Sequence, residues 1–170
     1  MDKYDMDYPK RKHTRLKQYD YSLPGYYYVT IHSAANSPIL STVTQEICPA
    51  GAAIHLTAAG EAVQQQLLAL QKRYSNLIID KYVIMPNHLH AIVRLTELPP
   101  GQQGPTLMEA IRVFKSLATR LCNQRNNTPG KQIFQTSFYE TVLRNEAAYL
   151  ECWRYIDENP LKWLLEPEDL

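Results

Sequence analysis

No apolar run in the 170-residue chain approaches the roughly 18 residues that a membrane-spanning helix needs. The N-terminus, Met1-Asp2-Lys3-Tyr4-Asp5, lacks the apolar stretch of a secretory signal, so no membrane partner and a cytoplasmic location are expected. Cysteine is scarce. Cys48, Cys122 and Cys152 are widely spaced and odd in number, which excludes a disulfide framework and a paired-cysteine zinc knuckle. An excess of charge is missing too, with 18 Lys and Arg against 17 Asp and Glu, and this excludes a uniformly basic nucleic-acid binder. Phenylalanine occurs only 3 times, whereas tyrosine occurs 12 times, a choice that suits wet interfaces and base stacking as well as half-buried positions. The remaining composition, 45% hydrophobic and 21% charged, is that of a soluble folded chain of one domain with a proper core.

Local charge is less even than the total. Lys10, Arg11, Lys12, Arg15 and Lys17 cluster with no acid among them, and the segment after Pro105 carries Arg112, Lys115, Arg120 and Arg125 against Glu109 alone. Either group could grip phosphates or simply form a solvated face. The acids gather in the first seven residues and in the tail Glu166-Pro167-Glu168-Asp169.

These features divide the chain into a basic, tyrosine-rich arm over 1–24, one domain over 25–165 and an acidic tail over 166–170. Tyr26 to Ser33 reads as a strand, and Ile39 to Thr44 as a second strand pairing back on it after the Asn36-Ser37-Pro38 turn. Val63, Leu67, Leu70 and Tyr74 recur at helical spacing within 57–74. Leu77 to Met85 and His88 to Leu95 read as strands flanking Pro86-Asn87. Thr106 and Glu109 form a capping box for a helix with Leu107, Ile111, Phe114, Ala118 and Leu121 on one stripe. Ile133 to Leu143 is expected to be a short strand, and Asn145 to cap a last helix that Pro160 stops after Glu158. Paired strands with helices between them point to an α+β fold with a ferredoxin-like or RRM-like antiparallel sheet. Its helices would lie on one face and leave the other open for a ligand.

His88-Leu89-His90 carries the chemistry. Residues two apart in a strand share a face, so both imidazoles can reach one metal ion; two polar residues on an exposed sheet face fit the same pattern. Tyr155 and Asn159 lie four apart, about one helical turn, with Asn159 directly before Pro160. Asn159 is placed either to cap a helix end or to turn its amide oxygen toward a metal. Tyr155 is either a rim aromatic or a reactive phenol, since Tyr149, Trp153 and Ile156 already supply an apolar stripe.

Tyr82-Val83-Ile84-Met85-Pro86-Asn87-His88-Leu89-His90 resembles the HUH signature of single-tyrosine transposases, and Tyr155-Ile156-Asp157-Glu158-Asn159-Pro160 resembles their tyrosine helix. Arg15 to Ser22 leading into Tyr28-Val29-Thr30-Ile31, together with Phe114-Lys115-Ser116 and Ser137-Phe138-Tyr139-Glu140, is similar to the REP-associated tyrosine transposases. The resemblance implies an enzyme that nicks and rejoins single-stranded or hairpin DNA through a 5′-phosphotyrosine. Under it His88, His90 and Asn159 bind Mg²⁺ or Mn²⁺, and Tyr155 is the nucleophile. Asn159 stands where the classical insertion-sequence enzymes have glutamine. The Lys10, Arg11, Lys12, Arg15 and Lys17 cluster and Arg112 and Lys115 would hold DNA, and the protein would act as a monomer or homodimer. The absence of a GxxxxGK[ST] loop agrees with ester exchange that needs no ATP. The alternative is a non-catalytic, domesticated hairpin-binding protein. A plain RRM module is disfavoured because no RNP-type strand is present.

Overall fold

The computed structural model describes residues 16, 18–47 and 50–165. Four antiparallel strands form the central sheet in the order β4-β5-β1-β6: β1 Gly25–His32, β4 Leu77–Ile84, β5 His88–Leu95 and β6 Tyr139–Leu143. With α1 Ala58–Arg73 and α2 Leu107–Asn126 between them, the succession β-α-β-β-α-β is the ferredoxin-like arrangement. A hairpin of β2 Ser41–Ile47 and β3 Ala50–Leu56 is inserted between β1 and α1, and α3 Glu146–Leu165 closes the described chain.

The period-two pattern of β5 explains the layering. Leu89, Ala91, Val93 and Leu95 enter the main core together with Val63, Leu67 and Leu70 of α1 and Leu107, Ile111 and Phe114 of α2. Ile92 faces the other way, into a smaller cluster with Val83, Leu143 and Ile156 that is lined by Tyr26, Tyr28, Tyr149, Cys152, Trp153 and Trp163. Val43 and Ile54 of the hairpin join this second cluster. The second face is therefore covered by α3 and the hairpin, which corrects the expectation of an open face.

Local signals set the helix starts. The Thr57 hydroxyl accepts from the Gly60 amide at 3.1 Å and donates to the Ile39 carbonyl at 2.6 Å. Gly60 is needed for space, because a Cβ there would lie 1.9 Å from the Leu40 carbonyl oxygen. Thr106 and Glu109 form the expected capping box.

Three boundaries differ from expectation. The second strand pairs with β3 rather than with β1, so the 39–44 segment belongs to a separate hairpin. Only Tyr139–Leu143 of the 133–143 stretch is strand, with an isolated bridge between Phe134 and Ser33. The last helix passes through Pro160 to Leu165. Proline removes one helical hydrogen bond, but Pro160 is itself buried, and Trp163 beyond it packs into the second cluster, so tertiary contact carries the helix onward. No helix among the described residues is long and apolar enough to cross a membrane.

Candidate active site

The turn that delivers the two histidines is pinned on three sides. Leu40 donates its amide to the Pro86 carbonyl at 2.9 Å, Ser33 to Asn87 at 2.8 Å and Met85 to His88 at 2.8 Å. From there β5 runs antiparallel to β1, so that His88 lies opposite His32 and His90 opposite Thr30. The rings of His88 and His90 have centroids 4.6 Å apart on the face covered by α3. The strand reading of the pair holds, but the face is buried: His88 is 4% exposed and His90 6%.

Each imidazole is oriented through Nδ1. His88 Nδ1 lies 2.6 Å from Asn87 Oδ1, and His90 Nδ1 lies 2.7 Å from the Tyr28 hydroxyl and 2.9 Å from the Thr30 hydroxyl. Burial holds both rings neutral, lowering the pKa of His88 to about 4 and that of His90 to about 2; each is lowered further by the imidazoles beside it. His32, whose ring lies 5.5 Å from that of His88, is lowered by the same burial, and its Nδ1 is buried without a hydrogen-bond partner.

Helix α3 brings the remaining groups. It is tied to the sheet by a Lys81–Asp157 ion pair of 2.6 Å, by Lys81 lying 4.1 Å from the Trp153 ring centroid, and by a hydrogen bond from the Tyr149 hydroxyl to Asp80. With Ile156 turned into the cluster, Tyr155 meets the His90 ring edge-on at 5.4 Å. Tyr155 is 37% exposed, so its ring meets His90 while remaining open to solvent. The Lys162 ammonium lies 5.0 Å from its ring centroid. One turn after Tyr155, Asn159 is 1% exposed, and neither Oδ1 nor Nδ2 has a hydrogen-bond partner, although the amide lies close enough to His88 to favour its protonated form. Sequence reasoning missed Tyr28, Thr30, Asn87, His32 and Lys162, because their relation to the histidines depends on cross-strand register and helix docking.

The basic candidates fare differently. Lys10, Arg11, Lys12, Arg15 and Lys17 lie outside the described residues. Arg112 is exposed and lines a cleft of about 380 Å³ with Arg73, Gln102 and Gln103. Lys115 donates to the Gln135 and Thr136 carbonyls at 2.6 and 2.8 Å, and burial lowers its pKa. Both residues sit on α2, across the sheet from the histidine pair.

No group of three or more His, Cys, Asp or Glu side chains gathers to hold a metal among the described residues. A cation at this place would therefore need the Asn159 amide, and the residues present fit one. Their Nδ1 atoms are already engaged, which leaves the opposite Nε2 of each imidazole, and the buried Asn159 oxygen is without a donor.

No protein-family model matches the chain. A Haemophilus influenzae protein named only as uncharacterized is 28% identical over 177 residues, covering 95% of this chain and 94% of its own length. Among solved structures, a REP-associated tyrosine transposase bound to a REP hairpin is similar at a TM-score of 0.62 and 21% identity, over 88% of this chain and 73% of that one. With its β-α-β-β-α-β sheet and C-terminal helix, the chain has the fold of a REP-associated tyrosine transposase.

Proposed function

We propose that the protein is a metal-dependent DNA strand transferase that cuts and rejoins hairpin DNA through Tyr155. The observation that supports this most is the meeting, within one chain, of a partly exposed tyrosine, two neutral imidazoles and a buried amide with no hydrogen-bond partner. His88 and His90 through Nε2, and Asn159 through Oδ1, would hold one Mg²⁺ or Mn²⁺. All three ligands are neutral, so a bound ion keeps its full charge for polarising the scissile phosphate.

A phenol is a weak nucleophile near neutral pH, since its proton leaves only near pH 10 unless the site assists. Tyr155 attacks phosphorus through its hydroxyl oxygen, losing its proton. The bond from phosphorus to the 3′ oxygen breaks, and that oxygen takes the electron pair and a proton to become a 3′-hydroxyl. The product is a 5′-phosphotyrosine, and attack on it by a 3′-hydroxyl reverses the exchange with the ester bond conserved. Because Tyr155 faces His90 of its own chain, cutting requires no second copy. The solved transposase of the same fold is bound to a REP hairpin. By the same reading this chain takes a hairpin with a flanking single strand, gripped by the basic segment Lys10 to Lys17 and by Arg112.

The test is a labelled hairpin with single-stranded flanks, incubated with protein and Mn²⁺ and resolved on a denaturing gel. A covalent DNA–protein band that EDTA abolishes is expected, and His88→Ala and His90→Ala should each remove the band while the hairpin is still bound. Tight hairpin binding with no covalent band under any divalent metal would identify a non-catalytic hairpin-binding protein instead.

A further inference from the structure

The two histidines are held in different ways. His88 Nδ1 faces the Asn87 side-chain oxygen at 2.6 Å. A carboxamide oxygen accepts and cannot donate, so the proton sits on Nδ1 and Nε2 keeps its lone pair. His90 Nδ1 faces two hydroxyls, Tyr28 at 2.7 Å and Thr30 at 2.9 Å. A hydroxyl can donate or accept, so this environment admits both tautomers of His90, and only the one with the proton on Nδ1 leaves Nε2 free to bind a cation.

The hydroxyls come from alternate residues of one strand and therefore from one face of the sheet. Thr30 is the cross-strand partner of His90, and the Tyr28 ring stacks on the imidazole at 5.4 Å. Tyr28 is thus set apart from Tyr155: both rings flank His90, but the Tyr28 hydroxyl is engaged on the Nδ1 side, away from Nε2.

We infer that His88 is a ligand with a preset tautomer, whereas Tyr28 and Thr30 are positioning residues that jointly accept the His90 Nδ1 proton, each able to serve when the other is removed. The inference rests on the metal reading of the site, yet it makes a claim about the metal-free protein that stands apart from DNA cutting. Loss of one hydroxyl leaves an acceptor in place, whereas loss of both leaves a buried N–H without one and drives His90 toward the tautomer that cannot bind through Nε2.

The experiment combines histidine ¹⁵N NMR of the metal-free protein with calorimetric Mn²⁺ titration of the wild type, Tyr28→Phe, Thr30→Val and the double variant. His88 should show the Nδ1–H tautomer in all four. Each single variant should bind Mn²⁺ within a few-fold of the wild type, and the double variant should lose roughly 10–100-fold, the scale of removing the support of a metal-bound histidine. Tyr28→Phe combined with Thr30→Ser, which keeps one hydroxyl, should restore the affinity and shows that the loss does not come from misfolding. A single variant that carries the whole loss, or an Nε2–H tautomer at His88, overturns the inference. Should the wild type bind no Mn²⁺, the functional proposal fails. The inference then stands or falls on whether His90 moves to the Nε2–H tautomer in the double variant and in neither single one.

Discussion

Asn159→Leu separates the metal proposal from a purely structural reading. Asn159 is 1% exposed, and both of its amide atoms lack hydrogen-bond partners. A buried polar group left without a partner costs about 1–3 kcal/mol. Leucine keeps the branch at Cγ and removes both polar atoms, at the expense of crowding from two methyls, on the order of 1 kcal/mol. In EDTA the variant should therefore be more stable than the wild type by about 1 kcal/mol. Added Mn²⁺ should reverse that order, because a ligand at a hundred times its Kd stabilises the folded wild type by about 2.7 kcal/mol and should do little for a variant lacking one donor. Urea unfolding with and without Mn²⁺ reads both differences. A leucine variant that is less stable in EDTA by more than about 1 kcal/mol would mean that the amide supports the fold. Equal stabilisation of both proteins by Mn²⁺ would mean that Asn159 does not bind the ion.

Four other perturbations have definite signs. An unfolded histidine titrates near 6.5, while burial keeps His88 neutral down to about 4 and lowers His90 and His32 in the same direction. Below pH 6.5 the unfolded chain therefore binds protons that the fold refuses, and metal-free stability should fall by up to about 1.4 kcal/mol per pH unit per histidine. Urea unfolding in EDTA at pH 7 and 5.5 measures the slope, and replacing His88 and His90 by glutamine should flatten it; an unchanged slope contradicts the assignment. Lys115→Met removes the two hydrogen bonds to the Gln135 and Thr136 carbonyls and should cost roughly 1–3 kcal/mol in thermal unfolding while leaving hairpin affinity unchanged. Arg112→Ala should do the opposite, preserving stability and reducing the salt dependence of hairpin binding by about one unit of slope. Gly60→Ala gains about 1 kcal/mol of helix propensity but drives a methyl into the Leu40 carbonyl, so a net loss on the order of 2 kcal/mol is expected; a stabilised variant would refute the packing argument.

The parts of the site visible in the sequence were those governed by short-range periodicity. His88 and His90 share a face because strand side chains alternate, and Tyr155 and Asn159 share one because a helical turn spans about four residues. The helical spacing of α1 and the capping box of α2 were readable for the same local reason. What escaped depends on tertiary contact. The Ala50–Leu56 strand is rich in alanine and glycine, weak strand formers that gain their order from pairing with β2. Passage of α3 through Pro160 depends on Trp163 reaching the cluster beside His88. Tyr28 and Thr30 looked like ordinary strand residues, and only the β1–β5 register places their hydroxyls on His90. Lys115 resembled a phosphate ligand until the loop carrying Gln135 and Thr136 was seen to fold back over its ammonium.

The most direct measurement of the central claim is the site of covalent attachment. After incubation of the wild-type protein with hairpin DNA and Mn²⁺, nuclease and protease digestion followed by mass spectrometry should find a nucleotide 5′-phosphate on the peptide that contains Tyr155, and Tyr155→Phe should give no such peptide while still binding the hairpin. Attachment at Tyr149 or Tyr139, or an undiminished covalent band from Tyr155→Phe, would contradict the account.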